Sequence, residues 1–412
     1  MAFRFIHAAD IHLDSPLLSL DEYPGAPVEE IRLATRKALG KLVDFSIESG
    51  AAFVVIAGDL FDGEWRDCNT GLYFIAEMKR LRDAGIKSYI ALGNHDAANR
   101  MTTGLPWPEH IRFFDHKQAE RIPVPGCDAA LYGQSFHRRH VEEDLTSTWP
   151  IGDSGTFNIG VLHTSANGAP GHEVYAPCSL DSLRSRHYQY WALGHIHTRT
   201  ELAREPWVVF PGNIQGRSVR ECGPKGALLV DVTDGHVSGV PRRLLVDRAR
   251  WTSLTVDLSG TENEPDALRA ISNVFRDAAA EADGRLLAAR VKVIGRTSLH
   301  RRLKADASRF ADDVQAVAHH VHEDLWIELL RIDTVDTTDA VGASSLDPAA
   351  LLEGLEHDAD MRRQAADVIA TVTAKLPGGI ATDEISLTDD MDAVLADARA
   401  LVLGRLAPKQ VV

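Results

Sequence analysis

Five short polar motifs follow one another along the first half of the chain, each directly after a short apolar run. They are Asp10-Ile11-His12, Gly58-Asp59, Gly93-Asn94-His95-Asp96, His163 and Gly194-His195-Ile196-His197. Together they offer carboxylate, amide and imidazole groups, and the imidazoles favour transition metals such as Mn, Fe or Zn. Each motif alone is typical of a turn or a helix cap. Five of them in order at strand ends predict a two-metal phosphoesterase site.

These side chains divide into ligand candidates and one acid candidate. Asp59 is the natural bridging carboxylate, because its two oxygens can bind two ions. Two ions about 3.5–4 Å apart can activate a shared water and clamp the attacking and leaving oxygens of an in-line displacement. His95, beside the ligand candidate Asn94, is expected to act as a non-ligand acid toward the leaving oxygen. Asp96 is expected to orient His95, as carboxylates often orient imidazoles.

The apolar runs that precede the motifs are predicted to be buried strands. They cover residues 3–9, 53–57, 88–92, 157–162 and 190–193, and are rich in β-branched and aromatic residues. Helical periodicity fills residues 29–49 and 69–84 between the first three runs. Alternating strands and helices predict parallel pairing in a layered α/β sheet. In such sheets sites gather at the carboxyl ends of strands, where the motifs lie.

The ordered motifs resemble the signature of the calcineurin-like metallophosphoesterase superfamily: D-x-H, G-D, G-N-H-D/E, H and G-H-x-H. The flanking segments are similar to the SbcD and YhaO branch of DNA repair exonucleases, and the later ones are especially like YhaO. Those segments are residues 9–14, 58–62, 162–165, 175–178, 190–197 and 211–217. The resemblance covers roughly residues 1–240.

The resemblance implies a role for each motif residue. One ion would be held by Asp10, His12, Asp59 and His197, and the other by Asp59, Asn94, His163 and His195. His95 would be the catalytic histidine, with Asp96 beside it. Some relatives carry a second functional histidine three residues after the bridging aspartate, where this chain has Asp62. A carboxylate cannot help bind phosphate as a cationic imidazole can, so no catalytic role is assigned to Asp62.

The rest of the chain predicts two further parts. We expect a metallophosphoesterase (nuclease) domain over residues 1–245, an α+β capping and DNA-binding domain over 250–333, and an acidic helical segment over 346–412. The capping domain is predicted to contain strands at 251–258, 287–295 and 325–332, with helices at 264–283, 300–305 and 309–317. Residues 334–345 form a polar linker. The fold class is therefore a layered α/β core of sheets flanked by helices, with a smaller α+β cap and a helical C-terminal segment.

Charge is distributed unevenly. The chain has a net charge of −15, of which residues 1–250 carry −4. Residues 285–309 hold eight basic residues and one acid, and there Arg301, Arg302 and Lys304 are candidates for DNA contact. A solvated face balanced by nearby acids is the alternative. Arg138-Arg139 and the Arg217/Arg220 pair are further basic spots. The latter pair is expected at the rim of the site, and both of its residues are further candidates for DNA contact.

Composition indicates a soluble globular protein. Hydrophobic residues make up 44% and charged residues 25% of the chain, and no apolar run reaches the length of a membrane span. No secretory signal is evident at the N-terminus, and four dispersed cysteines suit free thiols in the cytoplasm.

The expected function is that of a Mn²⁺-dependent DNA exo/endonuclease in repair or end processing, with Fe or Zn as alternative metals. The resemblance implies DNA, an SMC-like ATPase of the SbcC/YhaN type and a homodimeric state as partners, and no membrane. Two alternatives stay open: a metallophosphoesterase acting on small nucleotides or phosphoproteins, and a non-catalytic DNA-tethering subunit.

Overall fold

The computed structural model describes residues 2–15, 27–62, 68–97, 107–166, 175–337, 352, 354–373 and 391–406. The chain forms two compact units. The first contains residues 1–252 and 282–288, and the second contains residues 253–281 and 289–412.

The first unit is built on two β-sheets. In chain order its strands are β1 (Phe3–Ala8), β2 (Phe53–Ala57), β3 (Lys87–Ala91), β4 (Ile111–Phe113), β5 (Glu120–Val124), β6 (Ala129–Gly133), β7 (Phe157–His163), β8 (Tyr190–Gly194), β9 (Thr200–Arg204), β10 (Trp207–Phe210), β11 (Gly226–Thr233), β12 (His236–Val237) and β13 (Arg242–Leu245). Its helices are α1 (Val28–Arg32), α2 (Ala34–Glu48), α3 (Asn69–Asp83), α4 (Asn94–Ala97) and α5 (Leu180–Arg184).

The first sheet has the order β12-β11-β1-β2-β3-β4, with β13 also paired to β11. Strands β1 to β4 run parallel, and β11 is antiparallel to β1. In this register Phe5 pairs with Phe53, and Val55 pairs with Tyr89. The parallel arrangement expected for the first three strands is therefore confirmed, and their carboxyl ends meet at one edge.

The second sheet has the order β5-β6-β7-β8-β10-β9. Strands β6, β7, β8 and β10 are parallel, while β5 and β9 are antiparallel edge strands. In this sheet β7 and β8 were predicted, and the other four strands were not. The carboxyl ends of β6, β7 and β8 share one edge of this sheet.

The two sheets pack face to face through an aromatic layer. Phe5 stacks on Phe53 with ring centroids 5.1 Å apart, and Tyr190 of the second sheet meets Phe5 edge-on at 5.3 Å. Side chains alternate across a strand, so the opposite faces of both sheets are covered separately. Leu39 and Phe74 lie in the apolar cluster that covers the first sheet's outer face. This is the predicted layered core of sheets flanked by helices.

One predicted helix is interrupted. Residues 29–49 were expected to form a single helix, but α1 ends at Arg32 and α2 begins at Ala34. Leu33 between them has φ −90° and ψ 0°, in the sparsely populated bridge region, so the helical hydrogen bonding breaks there.

The second unit contains a three-stranded sheet and its helices. The strands β14 (Ala249–Asp257), β15 (Leu286–Thr297) and β16 (Leu325–Asp336) have the order β14-β15-β16. The helices are α6 (Glu264–Ala282), α7 (His300–Ala305) and α8 (Ala307–Val321). Ile271, Phe275 and Phe310 are fully buried. This alternation of strands and helices has the α+β composition that the sequence predicted for this part of the chain.

Two C-terminal helices complete the description: α9 (Ala359–Thr373) and α10 (Met391–Leu406). Asp397 of α10 forms an ion pair with Lys304 of α7, and Arg362 of α9 lies 2.6 Å from Asp392 of α10. The predicted linker overlaps the end of β16, and residues 338–351 and 374–390 lie outside the described residues. Among the helices described, none has the length and apolar character needed to cross a membrane.

Candidate metal centre

Hydrogen bonds donated by backbone N–H groups join three of the motif loops where the two sheets meet. The N–H of Asp10 donates to the Gly58 carbonyl at 3.0 Å, and the N–H of His12 donates to the Asp59 carbonyl at 3.0 Å. The N–H of His195 donates to the Asp10 carboxylate at 3.0 Å, which joins the second sheet to the first. The site is thus built from loops of both sheets.

Several predicted ligands have a left-handed backbone. Asp10, His12, Asp59 and His195 have φ values of 51°, 45°, 51° and 108°. Non-glycine residues adopt positive φ uncommonly, and such strain clusters at functional sites. These turns aim side chains from successive positions toward one point.

Two motif glycines are required by close approach. A Cβ at Gly58 would overlap the ring of His163, and Gly58 also has φ +90°. A Cβ at Gly194 would overlap the Ala57 carbonyl oxygen. Glycine lets β2 approach the ends of β7 and β8 at these points, so the Gly-Asp and Gly-His pairs of the motifs have a steric cause.

One group of potential ligands consists of Asp10, His12 and His197, whose ligand atoms lie within 4.8 Å of one another. The Nε2 atoms of His12 and His197 are 3.3 Å apart. His197 Nε2 is also 3.8 Å from Asp10 Oδ1. Asp10 and His12 are buried, whereas His197 is partly exposed.

A second group contains Asp10, Asp59 and His163 within the same 4.8 Å limit. Asp59 Oδ2 lies 3.4 Å from His163 Nε2 and 3.8 Å from His12 Nε2, so this one oxygen reaches both groups. Asn94 Oδ1 lies 2.9 Å from His163 Nε2. The His195 ring meets that of His163 edge-on, with centroids 5.3 Å apart. The structure thus brings all seven predicted ligands together.

The ring orientations suit divalent cations. The contact of His163 Nδ1 with the Ala57 carbonyl, at 3.0 Å, requires a proton on that nitrogen and turns Nε2 toward Asn94 and Asp59. His197 Nδ1 lies 2.7 Å from Glu221 Oε1, which turns its Nε2 toward His12. Facing lone pairs at these distances require a proton or a cation between them. Acceptors that bind the other ring nitrogen in this way commonly fix the tautomer of metal-binding histidines.

The buried acids of the site respond to burial and to the neighbouring imidazoles. Burial raises the pKa of Asp10. Burial acts in the same direction on Asp59, but the His163, His12 and His95 imidazoles together hold the pKa of Asp59 well below its usual range. Burial alone would lower the pKa of His163, but the Asp59 and Asp10 carboxylates raise it to about 9. The His163 imidazole therefore holds a proton at the nitrogen that would bind a metal ion, and metal binding must displace this proton.

The contact to His95 is made by Asp62, and this corrects the expected orienting role of Asp96. Asp62 Oδ1 lies 2.8 Å from His95 Nδ1. This hydrogen bond is the largest cause of the raised pKa of His95. The Asp96 carboxylate instead accepts the N–H groups of Leu60, Phe61 and Gly93, at 3.1, 3.0 and 2.9 Å. Asp96 is buried, so its oxygens join two motif loops.

Arg217 links the two ends of the site. Its guanidinium donates to Asp62 Oδ2 at 3.3 Å and to Glu221 Oε1 at 3.0 Å. Although burial opposes ionisation, the His197 hydrogen bond and the Arg217 charge hold the pKa of Glu221 well below its usual range. A polar chain therefore runs from His95 through Asp62, Arg217 and Glu221 to His197. The sequence indicated Arg217 as a residue at the rim of the site. It gave no sign of the contacts made by Asp62 and Glu221, because neither residue belongs to a recognisable metal-ligand motif.

The basic residues predicted to contact DNA in the cap are paired with acids. Arg301 Nε lies 2.5 Å from Asp336, and Arg302 Nε lies 2.7 Å from Glu264. Lys304 is paired with Asp397. Arg220 lies in the short 3₁₀ turn Val219–Glu221. Each of the three cap residues therefore has an acidic partner within the second unit.

Two segments of the chain match known families. Residues 3–199 match the family described as calcineurin-like phosphoesterase. Residues 251–335 match the middle domain of the metallophosphoesterase YhaO.

Three relatives show how far the similarity extends. The uncharacterized metallophosphoesterase YhaO of Bacillus subtilis (strain 168) is 31% identical over 376 residues, covering 89% of this chain and 88% of that protein. The DNA double-strand break repair protein Mre11 of Halobacterium salinarum is 25% identical over 411 residues, covering 96% of this chain and 97% of that protein. The protein of that name from Sulfurisphaera tokodaii is 24% identical over 279 residues, covering 65% of this chain and 68% of that protein.

Proposed function

The chain belongs to the calcineurin-like metallophosphoesterases of the YhaO type, and we propose that within this family it is a two-metal phosphodiesterase acting on DNA. Membership makes it a metal-dependent phosphoester hydrolase. The substrate class and the use of Mn²⁺ are our proposals. They extend to an exo- or endonuclease role in DNA repair or end processing.

The observation that carries the proposal is the convergence of the motif side chains. Asp59 stands between the two donor groups, and its Oδ2 approaches the ligand nitrogens of both His12 and His163. A carboxylate shared in this way suits a pair of ions. The imidazole content of the donor set favours Mn, Fe or Zn over Mg or Ca. Bound ions of this kind lower the pKa of a water and neutralise charge on a phosphoester.

The protein's own groups supply the remaining chemistry. His95 is partly exposed, and Asp62 accepts the hydrogen of its Nδ1. This leaves Nε2 as the ring nitrogen that can hold a proton for the leaving oxygen. The Asp62 carboxylate favours the protonated imidazole, so a proton is available at the rim of the site. Asp96 and the backbone bonds keep Asn94 and His95 beside Asp59, since His95 N–H donates to Asp59 Oδ1 at 3.0 Å.

DNA is proposed as the substrate because of what the relatives are named for and how much of this chain aligns with them. Two of them are named as DNA double-strand break repair proteins, and one aligns with 96% of this chain. The similarity therefore includes the chain beyond the phosphoesterase core. The SMC-like ATPase of the SbcC/YhaN type and the homodimer are proposed on the same ground. The C-terminal helices, with Val368 and Val402 exposed, offer apolar surface for such a partner.

The test is a parallel assay of two substrates with Mn²⁺. Purified protein is incubated with end-labelled linear double-stranded DNA and with bis-p-nitrophenyl phosphate, beside a His95→Ala variant. We expect the wild type to cleave both, and the variant to retain both metal ions while losing most activity. Hydrolysis of the small diester alone would favour a small-substrate phosphoesterase unless added ATPase and ATP restore DNA cleavage. Cleavage of neither by the metal-loaded protein would refute the proposal.

A further inference from the structure

An exposed basic loop stands beside the metal centre on the second sheet. It consists of His137, Arg138, Arg139 and His140, which we call the rim loop, and all four residues are exposed. The loop follows β6, whose parallel neighbour β7 ends in His163. It therefore leaves the sheet at the edge where the predicted ligands gather.

Both ends of the rim loop are anchored to the site. Phe136, just before it, is buried and meets the His163 ring edge-on with centroids 5.6 Å apart. The N–H of Phe136 donates to the Leu92 carbonyl at 2.9 Å. At the other end His140 contacts the Tyr175 ring, with centroids 5.1 Å apart, and Tyr175 contacts His195 at 5.3 Å. Rings of two predicted ligands thus set the position of the loop.

The charges of the loop are available for an anion. Within the described part of the chain Arg139 has no ion-pair partner. Arg138 lies 3.1 Å from Glu143 and His140 lies 3.4 Å from Glu142, and these pairs are exposed. Exposed ion pairs contribute little to stability, so either can exchange its partner for a phosphate at little cost. Arg217 near the metals differs, because it is already held by two carboxylates.

The spacing places the rim loop close to the predicted ligands. The two ring contacts place the His140 ring within about 10 Å of the His195 ring. Phosphates of one nucleic-acid strand rise about 3.4 Å per nucleotide along the helix axis, so a strand bound at the metals carries neighbouring phosphates into this region. A monoester or a single diester has no neighbouring phosphate to offer the loop.

We propose that Arg138 and Arg139 bind the sugar–phosphate backbone of a DNA strand, at phosphates that flank the phosphodiester at the metal centre. This inference rests on the proposed function and adds to it a determinant that separates polymeric from small substrates. The contact is to phosphate, so it carries affinity without base preference.

The test compares three double variants with the wild type. Arg138→Ala/Arg139→Ala removes both charges, and Arg138→Lys/Arg139→Lys keeps them as point charges. Arg80→Ala/Arg82→Ala is the matched control, because these exposed arginines end α3, whose connection leads to the start of β3 at the opposite edge of the sheet. Binding of a fluorescein-labelled 20-nucleotide single strand is followed by anisotropy over a salt series without divalent ions, so that no cleavage competes. The ratio of kcat/KM for the oligonucleotide to kcat/KM for bis-p-nitrophenyl phosphate is measured with Mn²⁺.

We expect the alanine rim variant to bind about 5- to 10-fold more weakly at 50 mM NaCl. Its slope of log Kd against log salt should fall by about 1.4, since each contact with a single strand contributes about 0.7. The kcat/KM ratio should fall at least about fivefold, and the lysine variant should recover most of the loss. Salt slopes and ratios equal to those of the control would overturn the inference. If no variant hydrolyses either substrate but the salt slope still falls, the proposed function fails while the backbone contact stands.

Discussion

Asp62→Asn is the sharpest perturbation of the proposed chemistry, because it changes one atom at a contact that defines the environment of His95. Asp62 lies 2.8 Å from His95 Nδ1, and it also accepts from Ser15 at 2.6 Å and from Arg217 at 3.3 Å. Asparagine keeps an oxygen for these neighbours while removing the charge. The variant therefore tests the electrostatic contact with little steric change.

The magnitude follows from the geometry. A hydrogen bond that involves a charged group contributes about 1.5–3 kcal/mol. At about 1.36 kcal/mol per factor of ten, this corresponds to about 10- to 150-fold in rate. The Asp62 and His95 side chains are 24% and 31% exposed, so solvent weakens the contact. We expect kcat for bis-p-nitrophenyl phosphate to fall about 10- to 30-fold.

The assay is a double-mutant cycle. Asp62→Asn, His95→Ala and the double variant are compared in kcat and in metal content, with the exposed Asp83→Asn as the matched control. If Asp62 acts through His95, its substitution should cost less than about twofold in the His95→Ala background. Equal losses in both backgrounds, or loss of a metal ion from Asp62→Asn, would refute the reasoning.

Three further predictions concern the ligands and one buried histidine. Asp59→Ala should lose both ions after dialysis, measured by elemental analysis, and retention of two ions would remove Asp59 as the bridge. Glu221→Gln should weaken metal affinity about 10- to 100-fold in a chelator competition, because His197 loses its charged acceptor, whereas Glu201→Gln should not. His7 is buried between the Tyr190 hydroxyl and the Leu193 carbonyl, and burial lowers its pKa to about 3, below the unfolded value near 6.5. The stability that neutral His7 contributes is complete above pH 6.5 and falls as the pH drops toward 3, by about 2 kcal/mol between pH 8 and pH 5. His7→Gln should reduce the dependence of the urea unfolding midpoint on pH between pH 8 and pH 5. An unchanged dependence would show that His7 is protonated in the folded state.

The sequence predicted the strands and helices that carry strong periodic signals. Strands β1, β2, β3, β7 and β8 are short apolar runs, and each was expected within a residue or two of its observed bounds. The strands β5 and β9 were not predicted. The first contains Pro123, and the second reads Thr-Glu-Leu-Ala-Arg with no clear alternation. Both are edge strands, whose pairing depends on neighbours rather than on their own composition.

Within the site, too, some features could be predicted from the sequence and others could not. The seven candidate ligands could be named because the motifs follow one another in a fixed order at the carboxyl ends of predicted strands. Their partners could not, because side-chain pairing depends on the path of each loop. Asp96 follows His95 in sequence, yet its carboxylate caps the backbone of Leu60, Phe61 and Gly93. Asp62 is 33 residues away in sequence and makes the contact that was expected of Asp96.

The aromatic layer between the two sheets has a further consequence. Asp10, Asp59 and Asn94 follow strands of the first sheet, whereas His163, His195 and His197 belong to the second. The thickness of the layer formed by Phe5, Phe53 and Tyr190 therefore fixes the distance between the ligands carried by the first sheet and those carried by the second. Packed interiors compress little, and metal sites tolerate displacements of only about 0.2 Å. A selection for variants with altered Mn²⁺ affinity should thus return substitutions in this layer, at positions that no substrate ever contacts.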